Sequence, residues 1–82
     1  MEHSVITDIR VAPDGIDIGI LTADGRHEML VYLDFFSKGK TALEVIGHIM
    51  DSVSNTLGRR LDKQEGLILT RAMNKTVHRW CD

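Results

Sequence analysis

The apolar residues of this 82-residue chain change their period once, and that change fixes the order of its parts. As far as Phe36 they alternate with polar residues, as in a strand buried on one side. From Ala42 onward they recur at spacings of three and four, as in a helix with one buried stripe. Strands therefore come first and helices follow.

Within the alternating part, the pattern predicts Val5, Thr7, Ile9 and Val11 on one face of a first strand, with Ile6, Asp8 and Arg10 on the other. Ala12-Pro13-Asp14-Gly15 is a turn, because proline presets φ, aspartate bonds nearby backbone and glycine accepts positive φ. Ile16, Ile18 and Ile20 alternate with Asp17 and Gly19 in a second strand. Ala23-Asp24-Gly25 carries the Asp-Gly pair that closes hairpins. A third strand from Arg26 to about Phe36 is expected to place Met29, Val31, Leu33 and Phe35 on one side. Glu28, Leu30, Tyr32 and Asp34 then fall on the other. Two short connections imply an antiparallel meander.

Thr41-Ala42-Leu43-Glu44 fits a capping box ahead of a first helix over 42–60. Its apolar stripe is predicted to hold Leu43, Ile46, Met50, Val53 and Leu57, with Ala42, Ile49 and Leu61 beside them. Glu44, His48, Asp51 and Asn55 fall opposite, and Gly58 weakens the last turn. Asp62 and Glu65 open a second helix over 63–80, with Leu69, Ala72, Met73, Thr76, Val77 and Trp80 clustered on one face. So short a connection makes the helices antiparallel neighbours.

Three strands cannot stand alone, and two amphipathic helices supply a cover. The fold class predicted is α+β: a three-stranded antiparallel β-meander followed by two antiparallel helices packed on one face. A single domain over 1–82 follows from the length and from the lack of any linker or repeat. The core is expected to contain Ile9, Val11, Ile16, Ile18, Ile20, Met29, Val31, Leu33, Ile46, Met50, Val53, Leu57, Met73, Val77 and Trp80.

A content of 43% hydrophobic and 27% charged residues is ordinary for a globular chain. The longest apolar run, Met29 to Leu33, is far short of the roughly 20 residues that cross a bilayer. Residues 1–10 carry Glu2, Asp8 and Arg10 and no apolar leader stretch. The lone Cys81 cannot close an internal disulfide, so a reducing cytoplasm is the expected location.

Chemistry-bearing motifs are sparse. Gly39-Lys40-Thr41 has the ending of a phosphate-binding loop, but the glycine needed five residues earlier is Asp34. Lys38, Lys40 and the free N–H groups of the first helical turn retain the means to hold an anion. His3, His27, His48 and His78 do not gather, and His78 with Cys81 makes only half a zinc site. Asp8, Asp17, Glu28 and Asp34 alternate with apolar residues along strands, as on a solvated sheet face rather than in a pocket. No catalytic residue, metal ligand or cofactor-binding residue is assigned, and a non-enzymatic protein is expected.

Two surfaces remain. If Ile9, Ile18 and Val31 point to the helices, Ile6, Leu21, Leu30 and Tyr32 point away, forming an apolar patch ringed by Asp8, Arg10, Asp17 and Glu28. That patch, or a free sheet edge, is the predicted partner interface, with a second copy of the chain or another protein as the partner. Charge is also segregated. Residues 1–36 hold two basic against seven acidic residues, and residues 55–82 hold six basic against three acidic. Arg71, Lys75 and Arg79 recur every fourth residue with His78 on the same side. This stripe is the alternative site, for nucleic acid or an acidic partner. A net charge of −2 and the absence of aromatic residues along the stripe favour the protein interaction module over the nucleic-acid binder.

Overall fold

Each strand ends where the sequence places a turn. The structure, a computed structural model, describes residues 3–81. Strand β1 (Val5–Ala12) turns at Pro13-Asp14 into β2 (Gly15–Leu21), and β3 (His27–Leu33) follows a hairpin loop closed by Thr22 and Arg26. A short 3-10 turn (Asp34–Ser37) leads to helices α1 (Ala42–Leu57) and α2 (Lys63–Cys81). The sheet is antiparallel in the order β1-β2-β3, with both helices on one face. The predicted β-β-β-α-α architecture is the observed one.

Helix termini follow their capping residues. Thr41 accepts from the Glu44 N–H at 3.2 Å, and Glu44 accepts from the Thr41 N–H at 3.3 Å, which completes the expected capping box. Asp62 and Glu65 make the same reciprocal pair at the start of α2, at 2.8 and 3.0 Å. Helix α1 stops at Leu57 rather than at residue 60, because Gly58 takes a left-handed φ of 74°. The Gly58 and Arg59 N–H groups both turn back to the Ser54 carbonyl, so the helix is closed rather than merely weakened.

The central strand supplies the floor of the core. Ile16, Ile18 and Ile20 are fully enclosed by Val45, Ile46, Ile49, Val53 and Leu57 of α1 and by Leu69, Met73 and Val77 of α2. Helix α2 lies over β1, and α1 over β2. Trp80 and Met50 sit at the core margin, half-buried. Leu43, expected in the stripe of α1, is exposed. Val45 is buried on the other flank of the stripe instead, while Ile46, Ile49, Val53 and Leu57 stay buried as expected, so the face turns by less than one residue.

Strand orientation differs from the alternation reading in β1 and β3, for separate reasons. In β1 the ladder slips between Ile6 and Asp8, so Thr7 is an extra residue and both Thr7 and Asp8 lie against Gly19. The bulge shifts the phase by one, which brings Ile6 onto the core face together with Ile9. A Cβ on Gly19 would crowd the side-chain oxygens of Asp8 and Thr7, so a larger residue there would have to push those two side chains aside. Val11, paired with Ile16 at the far end of the strand, remains partly exposed.

In β3 the hairpin loop sets the register. Ile20 pairs with Glu28, Ile18 with Leu30 and Ile16 with Tyr32, and directly paired residues share a face. Leu30 and Tyr32 therefore pack toward the helices, while Met29, Val31 and Leu33, expected in the core, face outward. Both faces of this strand are apolar, so alternation alone does not say which one is buried; a one-residue change in loop length would invert it. Tyr32 meets Phe36 in a tilted ring pair with centroids 5.8 Å apart, and Phe36 meets His48 of α1 in another at 4.9 Å.

This orientation predicts unequal costs for adjacent residues. Tyr32→Ala should destabilise the fold by about 3 kcal/mol, as for a buried aromatic. Val31→Ala should change stability by no more than about 0.5 kcal/mol, as at a surface site. Urea unfolding monitored by circular dichroism separates the two, and equal effects would contradict the register.

Candidate functional site

The open sheet face is the surface that departs most from the usual polar exterior. On this face β2 contributes Gly15, Asp17, Gly19 and Leu21, flanked by Leu33, Val31, Met29 and His27 of β3. Met29 and Val31 are each 56% exposed and Leu33 45%, with Phe35 beyond them at 70%. Val5, paired with Leu21, adds a partly exposed side chain on the other flank. Asp8 and Arg10 form an exposed ion pair at 3.5 Å along β1. The result is an apolar stripe along β3 beside a charged margin on β1 and Asp17.

Of the four residues assigned to the partner interface, only Leu21 lies on this face. Tyr32 is in the core, and Ile6 and Leu30 pack against it. Burial raises the Tyr32 phenol above its ordinary pKa, with the Ser52 side chain of α1 partly offsetting the shift. The apolar outer face therefore exists with other residues than expected: Met29, Val31 and Leu33 replace Ile6, Leu30 and Tyr32. The signal for them was present in the sequence, as the other half of a strand apolar on both sides.

The two sheet edges are unlike. The β1 edge carries the Thr7–Asp8 bulge and borders a cleft of about 300 Å³ lined by Val5, Ile6, Ile9 and Ile68, with Glu65 at its rim. The β3 edge pairs in unbroken register with β2 from His27 to Leu33. At its loop end Arg26 contacts Asp24 at 2.9 Å and Glu28 at 3.5 Å. The Thr22 hydroxyl bonds to Asp24 and lowers the pKa of its carboxyl, aided by Arg26.

The basic stripe is where the sequence placed it. Arg71, Lys75, His78 and Arg79 are all exposed on α2, and among the described residues none is in an ion pair. The stripe continues toward Lys63 past the exposed Leu67 and Ile68, which line a shallow depression with Gln64 and Arg71.

The loop before α1 is occupied by its own side chains. Lys40 Nζ donates to the Phe36 carbonyl at 2.9 Å and lies 4.6 Å from the centre of the Phe36 ring. Glu44 places its carboxylate on the Thr41 N–H and hydroxyl. Of the groups anticipated to hold an anion, Lys40 is thus turned to the Phe36 carbonyl, while Glu44 lies at the N-cap of α1. Among the described residues, no three His, Cys, Asp or Glu side chains converge as metal ligands, and no helix is long and apolar enough to cross a membrane.

One polar cluster holds the chain's start to the helix junction. Arg59 grips both oxygens of Glu65 at 2.7 and 2.8 Å and donates to the Ser4 carbonyl at 2.9 Å. The Ser4 hydroxyl, buried, donates to the Leu57 carbonyl at 2.6 Å. The Arg59 bonds hold the Glu65 carboxyl down to about 2, with the Asp62 N–H adding to the effect against partial desolvation.

Comparison with known proteins returns no match: no family model, no curated protein and no solved structure corresponds to this chain. Fold and surfaces together define a small α+β module with one covered and one open sheet face.

The arginine clamp predicts a pH signature. A carboxyl whose folded pKa lies below its unfolded value stabilises the fold above about pH 5 and loses that contribution as pH falls toward 2. Glu65→Gln should cost about 1 kcal/mol at pH 7, and the difference from the wild type should vanish near pH 2. Unfolding free energies measured across that range decide it; a difference constant with pH would contradict the clamp.

Proposed function

We propose that this protein is a small interaction module rather than an enzyme, and that it self-associates through the sheet. The observation that supports this reading is the stripe of Met29, Val31 and Leu33, three consecutive outward positions on one strand, each about half exposed or more. Isolated surface apolar residues are common, but an aligned row beside a free edge leaves both hydrophobic and hydrogen-bonding capacity unused. A second copy of the chain brings the same edge and the same row, so pairing along the strand joins the free backbone groups and sets the two rows against each other side by side.

Light scattering over a range of concentrations should find a dimer for the wild type. Val31→Glu should yield a monomer that keeps the wild-type circular dichroism spectrum, since the side chain is on the surface of the folded chain. A monomeric wild type, or a Val31→Glu dimer as tight as the wild type, would remove the reading.

A second reading rests on the α2 stripe, which spans about 12 Å of helix from Arg71 to Arg79 with four exposed basic or titratable groups. It assigns the stripe to a polyanion such as duplex nucleic acid. Affinity for a generic duplex should then fall steeply between about 50 and 200 mM salt, and Arg71→Ala with Lys75→Ala should flatten that slope. Absent or salt-independent binding in a fluorescence titration would exclude it.

A further inference from the structure

The self-association reading leaves the geometry of contact open, and the β3 edge determines it. In the hairpin, the Thr22 N–H bonds to the Arg26 carbonyl, and past the strand's other end the Asp34 N–H bonds to the Asp14 carbonyl. Hydrogen-bonded pairs in an antiparallel ladder recur every second residue. Residues 28, 30 and 32 therefore direct their backbone groups to β2. His27, Met29, Val31 and Leu33 direct theirs to the open edge. The same four residues carry the outward face of the strand.

Natural sheets guard their edges with bulges, prolines and charges. Strand β1 has such protection in its bulge and in the Asp8–Arg10 pair. Strand β3 has neither bulge nor proline, and its only acid, Glu28, lies next to the hairpin loop. We infer that two copies of this protein join along β3, antiparallel about a two-fold axis at Leu30, and so extend the three-stranded sheet to six strands. The inference rests on the self-association reading and specifies its contact.

Charge selects this register among its neighbours. With Leu30 on the axis, the seven residues of β3 all pair: Met29 faces the partner's Val31, and His27 faces the partner's Leu33. Just beyond each strand end, Arg26 faces the partner's Asp34, and by symmetry the contact occurs twice. Among the described residues, the Asp34 carboxylate has no ion-pair partner within its own chain. Arg26 has N–H groups to spare beyond its contacts with Asp24 and Glu28. Moving the axis to Val31 would set Glu28 against the partner's Asp34, opposing like charges. Moving it to Met29 would carry the partner's Asp34 past Arg26 to the hairpin loop, where the chain has turned back toward β2, and the Arg26–Asp34 contact would be lost. Only the Leu30 register matches strand length and charge together.

The test is a charge-reversal cycle read by sedimentation equilibrium. Arg26→Glu and Asp34→Arg should each weaken the dimer about tenfold, as two symmetric like-charge contacts require. The double variant should return to within about threefold of the wild type, because the pair is re-formed with its signs exchanged. Val31→Pro should weaken the dimer about a hundredfold with the circular dichroism spectrum retained, since it removes an outward N–H on an edge strand. Should that variant unfold, hydrogen exchange of the wild type decides: the Met29, Val31 and Leu33 amides gain protection with concentration if the edges pair. A dimer in which these amides exchange freely, or a double reversal no better than its singles, overturns edge pairing and leaves self-association standing. A chain monomeric at every concentration overturns both.

Discussion

Burial of the three isoleucines of β2 is the constraint on which the rest of the structure depends. Ile16, Ile18 and Ile20 are almost wholly removed from water, and nothing in a three-stranded sheet could achieve that without a second layer. Each represents about 2 kcal/mol of apolar transfer, a large share of what so small a domain has at its disposal. Two helices are needed for the cover because one is too narrow for the strand set. Helix α1 takes the β2 side and α2 the β1 side, and their facing residues complete the enclosure. The opposite side of β2 is correspondingly thin. Gly15 and Gly19 leave it without bulk, and the bulged Thr7 and Asp8 fill part of the space over Gly19.

Polar contacts then fix how the layers meet. The Arg59–Glu65 clamp joins the end of α1 and the start of α2 to the backbone of Ser4, 55 residues before Arg59 in the chain. At the other end, Trp80 Nε1 donates to the Pro13 carbonyl at 2.8 Å, and the Ser37 hydroxyl reaches the Trp80 carbonyl at 3.2 Å. Helix α2 is thereby held at both termini, to the chain's start and to the β1–β2 turn. Among the described residues every buried side-chain polar atom has a partner, so these contacts orient the helices without leaving an uncompensated group.

The exposed surfaces are consequences of that one-sided burial. A sheet covered on one face has an open face and two edges, and in this protein the three differ in character. Bulge and charge protect β1, the open face is apolar mainly along β3, and the β3 edge is regular. Hydrophobic surface and unpaired backbone groups thus coincide on one strand, while the basic groups gather on α2 at the far layer. The proposed partner strand and the proposed polyanion would therefore draw on different sides of the protein and on different residues.

The sequence by itself determined the order of elements, the antiparallel meander, the Thr41–Glu44 capping box, the Asp62 cap and the exposed stripe of Arg71, Lys75 and Arg79, because each depends on residues within a few positions of one another. Period, turn chemistry and capping are local, and local physics is written locally. Only the tertiary structure decided which face of β3 is buried and which residues of β1 join it. Leu30 and Tyr32 competed with Met29 and Val31 on equal apolar terms. The outcome followed from the parity of the Thr22–Arg26 loop and from a bulge whose partner, Gly19, lies on another strand. Neither has a signature in the alternation of one strand, since register is a relation between two.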